Sequence, residues 1–204
     1  MSTLVDPYAI TDYDRSDEAL EAFFMFCCAV AGKKAAMIAP KVHRFVEGYE
    51  GGGTPFQKVR RMNGEASLDA NLRRVSIGKY GLLSRAYTQA VSRPEEFLRT
   101  AGIQELQEIP GVGLKTARFF IVHSRAGAEH AVIDTHMLKF LRDSGEPDVP
   151  SGNSPPAAAY LRLEKAVLVH AAQRGMTPAD FDLVVWRWYE AGNRGMPIFT
   201  NSAV

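Results

Sequence analysis

Apolar residues recur along the chain mostly at helical spacing, in short blocks closed by glycine or proline. The block "DEALEAFFMFCCAVAG", residues 17 to 32, has acidic residues in its first turn and is apolar nearly all round, which indicates a buried helix. No segment alternates cleanly enough to be a convincing strand. The pattern predicts an all-α fold of about ten helices with short connections.

Capping signals place the ends of these helices. Side chains suited to a helix N-cap precede the apolar blocks at Ser16, Thr54, Ser67, Ser92 and Thr177. Glycines suited to a helix C-terminus stand at Gly32, Gly145, Gly175 and Gly192. Pro40 falls inside the predicted second helix, residues 33 to 48, and we expect it to break or kink that helix.

Composition limits the class of protein. With 204 residues, 46% of them apolar, the chain can bury a core as one large domain or two small lobes. The formal net charge is only +1, so an anionic partner must meet a local basic patch. Candidates for such a patch are Arg60, Arg61, Arg73, Arg74, Lys79 and Arg85. Cys27 and Cys28 are adjacent in an apolar run. This setting suits buried free thiols in a reducing compartment. A polar N-terminus and the lack of a membrane-length apolar stretch favour a cytoplasmic protein without membrane contact.

The stretch "LQEIPGVGLKTARFF", residues 106 to 120, places a glycine turn between two apolar runs. We predict two short helices within residues 103–123, the first ended by Pro110, with Gly111 and Gly113 permitting the turn. Bare N–H groups at the start of the second helix, where the helix dipole favours an anion, would suit a phosphate. This is the sequence form of a helix-hairpin-helix, which grips a nucleic-acid backbone without reading bases. A plain glycine turn between packed helices would have the same pattern. The residues predicted to contact the DNA backbone are Pro110, Gly111, Val112, Gly113 and Thr116.

A second candidate residue follows the hairpin. The apolar run of residues 131–133 leads into Asp134, which stands at the start of another predicted helix, nineteen positions after Lys115. An aspartate there is an ordinary N-cap. The same placement also holds an ionised carboxylate beside a cleft, as a catalytic acid residue requires.

Together these residues carry a family resemblance. "LQEIPGVGLKTA" followed by "VIDTHM" resembles the helix-hairpin-helix, Gly/Pro-rich loop and aspartate signature of the DNA glycosylase superfamily that includes endonuclease III and the 8-oxoguanine DNA glycosylases. Weaker likeness in "FCCAVAGKKA" and "IGKYGLLSRAYTQAV" extends it over most of residues 16–192. The resemblance implies one glycosylase unit over residues 1–204, built as two helical lobes with a cleft between them. One lobe is residues 33–133, with the hairpin at 103–123, and the other joins residues 1–32 to 134–204.

The resemblance also implies a reaction and a partner. The partner is double-stranded DNA carrying a damaged or modified base, which a monomeric enzyme flips out of the helix. Lys115 attacks C1′ of the sugar as a neutral amine and forms a Schiff base, while Asp134 stabilises the positive charge that develops on the sugar. Members of the family with this lysine also cleave the resulting abasic site, so the resemblance implies a glycosylase and AP lyase.

The cysteines narrow the choice of relatives. Endonuclease III relatives carry four cysteines for an iron–sulfur cluster near the C-terminus, whereas this chain has no cysteine after Cys28. No iron–sulfur cluster or other cofactor is therefore expected. No metal is expected either, because the histidines at positions 43, 123, 130 and 170 form no ligand spacing. The cluster-free 8-oxoguanine glycosylases end in an aromatic helix that "DFDLVVWRWYEAG" resembles. An oxidised guanine is the leading substrate. The alternatives are an oxidised pyrimidine, a mismatched thymine, another modified base, or a helix-hairpin-helix protein that binds DNA without catalysis.

Supporting residues are less specific. We expect His136, two positions after Asp134, to steady that carboxylate or to cap the helix. Phe181, Asp182 and Trp186 are candidates for a base pocket, although helical spacing makes a core role the ordinary one for aromatic residues. Lys33 and Lys34 lie where the family inserts residues into the gap left by the flipped base.

Overall fold

The computed structural model describes residues 4–152 and 155–199, and its regular structure is entirely helical. Residues 1–3, 153–154 and 200–204 lie outside the described residues. Within the described residues there are eleven helices and no strand, which confirms the predicted all-α class. None of these helices is long and apolar enough to cross a bilayer. The helices are α1 Asp17–Val30, α2 Ala35–Glu47, α3 Pro55–Gly64, α4 Leu68–Arg74, α5 Tyr80–Val91, α6 Phe97–Thr100, α7 Ile103–Gln107, α8 Leu114–Ser124, α9 Thr135–Asp143, α10 Ala157–Ala172 and α11 Pro178–Glu190.

Packing divides the chain into two compact units, the first ending at Phe120 and the second beginning at Ile121. In the first unit α1 packs against α2, α3, α5 and α6, and in the second α11 packs against α9 and α10. This division differs from the predicted one, which joined residues 1–32 to 134–204 and set residues 33–133 apart. The difference arises because α1 packs against the helices that directly follow it in the chain.

Helix α1 forms the centre of the first unit, as its all-round apolar sequence predicts. Every residue from Ala22 to Val30 is buried. Phe24 meets Phe120 of α8 edge to face with ring centroids 5.4 Å apart, and Phe23 stacks on the same ring at 5.8 Å. Such aromatic pairs add to the stabilisation that burial gives. The middle of α8 is thus anchored on α1.

A smaller aromatic cluster forms the core of the second unit. The fully buried Phe140 of α9 meets Phe181 of α11 edge to face at 5.1 Å, and Phe199 stacks on Phe181 at 5.3 Å. These contacts fix α9, which begins directly after Asp134, to α11.

Most of the predicted helix ends are confirmed. Ser16 and Thr177 cap α1 and α11 with their hydroxyl oxygens, and Thr54 forms a full capping box with Gln57 at the start of α3. The glycines after α9, α10 and α11 adopt the left-handed conformation expected at a C-terminus.

Two predictions about helix ends need correction. Ser92 does not start a helix, because its hydroxyl closes α5 by donating to the Gln89 carbonyl at 2.8 Å, and the next helix begins only at Phe97. Of the two effects predicted for Pro40, a break does not occur, since α2 runs from Ala35 to Glu47 across it, and a kink stays a prediction. A proline removes one hydrogen bond of a helix, and the buried face of α2, which includes Ile38 and Val42, holds the helix together across it.

Candidate active site

The hairpin turn between α7 and α8 has the geometry that its sequence predicts. The N–H of Val112 donates to the Ile109 carbonyl at 3.0 Å, which closes a four-residue turn. Pro110 and Gly111 take its central positions, and Gly111 has φ +83°, as a type II turn requires. The chain therefore reverses immediately before the first turn of α8.

The two glycines of the turn serve different purposes. A Cβ on Gly111 would lie 2.9 Å from the Leu82 side chain, so this position needs glycine for both space and conformation. Gly113 is exposed, its φ is outside the left-handed region, and a Cβ there would meet nothing within 4 Å. The prediction that both glycines serve the dihedrals of the turn is wrong for Gly113, whose bare backbone instead leaves room for an incoming group.

This difference gives a testable prediction. We expect Gly111→Ala to lower the free energy of unfolding by about 1–2 kcal/mol, since an L-residue in the left-handed region is strained. We expect Gly113→Ala to change it by less than about 0.5 kcal/mol, as an unhindered surface substitution does. Urea unfolding measures both. If Gly113→Ala still weakens binding to undamaged duplex DNA, the loss arises from blocked approach of the backbone.

One side chain of α5 and one from the loop that follows it hold the end of α7. Gln89 donates its side-chain N–H to the Glu108 carbonyl at 3.2 Å, and Arg93 pairs with the Glu108 carboxylate at 2.8 Å. Both contacts fall at the end of α7. These contacts brace the turn, and Gly111 and Gly113 are exposed.

The remaining residues predicted to contact DNA differ in how much of each residue is exposed. Val112 and Thr116 have buried side chains, with 4% and 5% of each residue exposed, and Pro110 is half-buried. Any contact that Val112 or Thr116 makes with a DNA backbone must use main-chain groups. Helix N-termini bind phosphates with such groups, because the first N–H groups of a helix have no intrahelical acceptor.

Lys115 is the second residue of α8 and is half-buried. Its Nζ lies 4.6 Å from the centroid of the Phe119 ring, one turn further along the helix. Within residues 4–120, no carboxylate forms an ion pair with it. An amine so placed has no salt bridge within its own unit that must break before it reacts.

The cysteine nearest to this amine is inert. Burial raises the pKa of Cys27 well above its usual value, as does the neighbouring Cys28, although Lys115 and Arg15 act in the opposite direction. Burial likewise raises the pKa of Cys28 to about 12. A neutral thiol is a poor nucleophile. Of the reactive side chains gathered here, Lys115 is therefore the candidate nucleophile.

The chain segment that leads to Asp134 is buried, although it belongs to no helix or sheet. The N–H of Ile133 donates to the Tyr160 hydroxyl at 3.0 Å, and that hydroxyl donates to the Ala131 carbonyl at 3.2 Å. The N–H of Ala131 donates to the buried Glu164 carboxylate at 3.0 Å. Two side chains of α10, one turn apart, thus satisfy a buried backbone that has no strand partner.

Asp134 is the N-cap of α9, as predicted. Its Oδ1 accepts from the N–H groups of His136 and Met137 at 2.9 and 2.8 Å. Within the described part of the second unit, Oδ2 has no hydrogen-bond partner. One oxygen therefore fixes the half-buried carboxylate at the helix start, and the other remains for a different interaction.

The two hydrogen bonds of the Tyr160 hydroxyl give a testable prediction. We expect Tyr160→Phe to lower the free energy of unfolding by about 1–3 kcal/mol, because it leaves a buried donor and a buried acceptor unsatisfied. Urea unfolding measures the change. Tyr49→Phe is a matched control, because the Tyr49 hydroxyl contacts Glu65 at the surface, and it should change stability little. Equal losses in both variants would show that the buried contacts do not stabilise the segment.

His136 steadies Asp134 through its backbone and not through its ring. The imidazole stacks on Tyr189 of α11 with centroids 6.3 Å apart, and its Nε2 lies 3.6 Å from the Glu190 carboxylate. Its Nδ1 is buried and has no hydrogen-bond partner within the described residues. The ring thus faces α11, and only the N–H contacts the carboxylate.

The three candidates for a base pocket all lie on α11, and two of them are buried. Phe181 is 0% exposed and packs among core rings, and Asp182 contacts the buried His123 at 3.1 Å. Trp186 is half-buried. The surroundings of Phe181 and Asp182 are those of core residues, and a pocket role for either would require them to become accessible.

Substitution of Asp182 tests whether this residue belongs to the protein core or to a base pocket. We expect Asp182→Ala to lower the free energy of unfolding by about 1–3 kcal/mol, because it removes a buried acceptor from His123. Asp182→Asn keeps an oxygen at this position, so it should lower the free energy of unfolding by less. A pocket residue would instead change the relative rates for different bases at unchanged stability. Urea unfolding and base-release rates on two lesions separate these outcomes.

Part of the predicted basic patch is occupied within the protein. Arg73 forms an ion pair with Asp69 at 2.6 Å, Arg60 donates to the Val91 carbonyl at 3.0 Å, and Arg61 donates to backbone carbonyls of the loop before α3. The carboxylate of Asp69 thus balances the positive charge of Arg73. Lys79 instead lies in a group with Lys33 and Lys41.

The sequence does not reveal Tyr160 and Glu164 as supports of the segment before Asp134. A glutamate at an otherwise apolar face of α10, one turn from a tyrosine, is the only trace of this role. Their partners lie 27 to 33 positions earlier in the chain, so periodicity within one helix cannot identify them.

Comparison with known proteins bears on the fold. No protein-family model matches the chain. The structure is similar to that of the 8-oxoguanine DNA glycosylase of Thermotoga maritima, with a TM-score of 0.63 and 19% sequence identity, covering 89% of this chain and 84% of that one. At this identity the similarity shows the fold alone. It confirms that the helices are arranged as in a DNA glycosylase structure.

Proposed function

We propose that the protein is a DNA glycosylase with AP lyase activity, which removes a damaged base from double-stranded DNA, with 8-oxoguanine as the leading substrate. The observation that carries the proposal is the position of Lys115, in the first turn of α8 directly after an exposed glycine turn, on a fold similar to a glycosylase structure. Asp134 supports it as a carboxylate fixed at a helix start with one oxygen uncommitted within its unit.

The hairpin supplies the grip on DNA. The first N–H groups of α8 bind a backbone phosphate, helped by the positive end of the helix dipole, and the bare backbone at Gly113 lets the strand approach. Such a contact carries no sequence information. It holds the duplex while the damaged nucleotide rotates out, at a cost of a few kcal/mol that protein contacts offset.

Lys115 performs the covalent step. The uncharged Nζ attacks C1′ of the extruded nucleotide, the bond from C1′ to the base nitrogen breaks, and the base leaves with that electron pair and takes up a proton. Opening of the sugar ring and loss of a proton from nitrogen then give a Schiff base between Lys115 and C1′. No water molecule is consumed until the imine is hydrolysed.

Asp134 stabilises the step electrostatically. Departure of the base leaves positive charge on C1′ and the ring oxygen, and a carboxylate that is already fixed does not reorganise as that charge appears. The N–H groups of His136 and Met137 hold Oδ1, so Oδ2 faces the sugar in this proposal. Lys115 belongs to the first unit and Asp134 to the second, and their joint action on one sugar is part of the proposal.

The lyase step follows from the imine. Loss of a proton at C2′ gives an enamine, and expulsion of the 3′ phosphate breaks the C3′–O bond, leaving a nicked strand. Hydrolysis then frees the lysine. A protein that used water in place of Lys115 would leave the abasic site intact, so strand nicking distinguishes the two chemistries.

The test is borohydride trapping on duplexes that each carry one candidate base. Reduction converts the imine to a stable amine, so enzyme and DNA become covalently linked. We expect linkage with the 8-oxoguanine duplex and none with undamaged DNA. Linkage with an oxidised pyrimidine or a mismatched thymine instead would keep the chemistry and correct the substrate. Folded protein that binds duplex DNA but neither links to any of these duplexes nor releases their bases would contradict the proposal.

A further inference from the structure

Two lysines cross between the loops that precede α2 and α5. Lys33, two residues before α2, donates its ammonium N–H to the carbonyl of Ile77 in the loop before α5. Lys79, directly before α5, donates to the carbonyl of Ala31 in the loop before α2. Each ammonium group therefore lies at the backbone of the other loop, and the two positive charges converge on one region of the first unit.

A third lysine joins them. Lys41 of α2 donates to the carbonyl of Ser76 at 2.7 Å. The conformation of the intervening loop makes room for the charges, since a Cβ on Gly78 would lie 2.7 Å from Nζ of Lys33. Partial burial lowers the pKa of Lys33, and the positive charges of Lys79 and Lys41 act in the same direction. We refer to Lys33, Lys41 and Lys79 as the lysine cluster.

The charge of the lysine cluster is not balanced within its unit. Within the described residues, the three ammonium groups donate to backbone carbonyls, which accept hydrogen bonds but carry no net charge. Within residues 4–120, no carboxylate forms an ion pair with any of the three. Three like charges held together by neutral acceptors repel one another, and an anion placed among them would relieve that repulsion.

Two helix N-termini add to the same positive potential. The N-cap residues of α2 and α5 are Lys34 and Lys79, whose side chains have no acceptor atom, and neither helix has an acidic residue in its first turn. Both helices, of 13 and 12 residues, therefore present uncapped N–H groups and the positive end of the helix dipole beside the lysines.

We infer that the lysine cluster and the N-termini of α2 and α5 form a second DNA-backbone site, which binds a phosphodiester of the duplex apart from the hairpin. The inference rests on the proposed function for the identity of the partner, double-stranded DNA. A phosphodiester suits this site because it offers two charged oxygens to ammonium and backbone N–H donors. Since these donors contact phosphate, the site binds damaged and undamaged duplexes alike.

The test is the salt dependence of binding to an undamaged DNA duplex. Each phosphate contact adds about 0.9 to the slope of log affinity against log salt concentration. We expect Lys41→Gln and Lys79→Gln each to reduce the magnitude of that slope, by up to about 0.9 for a contact fully lost. Lys79→Arg, which keeps the charge, should restore most of it. Lys165→Gln, an exposed lysine of α10 in the second unit, is the matched control and should leave the slope unchanged.

The outcomes separate this inference from the proposed function. Thermal unfolding of each variant first establishes that it is folded. An unchanged slope in both folded cluster variants, an equal reduction in Lys165→Gln, or no binding of duplex by the unsubstituted protein would overturn the inference. Base release from the damaged duplex is measured on the same preparations. Its absence together with the expected slopes would leave the phosphate site in place and contradict the glycosylase proposal alone.

Discussion

Lys115→Ala is expected to abolish borohydride trapping and to lower the rate of base release by at least roughly 10³-fold, the scale on which loss of a covalent nucleophile lowers turnover in other enzymes. The reason is that the variant retains no amine to form the bond to C1′. Affinity for duplex DNA should change little, because the hairpin N–H groups and the lysine cluster remain. Single-turnover base release and gel detection of the covalent complex measure the two effects.

Two further variants distinguish a role of Lys115 as nucleophile from a role of its positive charge. Lys115→Arg keeps a positive charge that cannot act as a free amine, so it should bind DNA normally and form no adduct. Lys165→Ala removes an exposed lysine of the second unit and should behave as the unsubstituted protein does. Full trapping by Lys115→Arg would mean that another amine attacks the sugar.

Asp134→Asn is expected to slow base release by on the order of 10²–10³-fold, the range seen when one preorganised electrostatic partner of a transition state is removed. Asparagine is as good an N-cap as aspartate, so the hydrogen bonds to His136 and Met137 can persist and α9 should remain folded. The loss then falls on the chemical step, and DNA affinity should be nearly unchanged. Single-turnover rates and equilibrium binding on the same duplex measure the two quantities.

The control for Asp134→Asn is a substitution of the N-cap residue of another helix. Thr177→Ala removes the side-chain cap of α11 and should cost about 1 kcal/mol of stability while leaving the rate of base release intact. If Asp134→Asn lowered stability as much as Thr177→Ala does and left base release unaltered, Asp134 would be a cap and nothing more.

Local features of this fold could be predicted from the sequence because their causes are local. The left-handed Gly111 follows from proline and glycine in a turn, and the cap at Asp134 follows from an aspartate between an apolar run and a helix. The burial of α1 follows from a block of apolar residues too long for one helix face. Each of these depends on residues within one or two turns.

Features that depend on distant partners could not be predicted in the same way. Ser92 has the sequence of a helix start, yet its hydroxyl closes the preceding helix, because α6 forms only where Phe97 and Leu98 reach the core. The contacts of Lys33 and Lys79 span 44 and 48 positions. No helical or strand period connects residues so far apart, so only the folded chain shows that these lysines meet.

In the proposed mechanism one nitrogen, Nζ of Lys115, forms the bond to DNA. The most direct measurement is peptide mapping by mass spectrometry of the borohydride-reduced complex with an 8-oxoguanine duplex. We expect the mass of the sugar fragment on the peptide that contains Lys115, and we expect no modified peptide from Lys115→Ala. Modification of a different lysine or of the terminal amine, or base release without any covalent product, would contradict it.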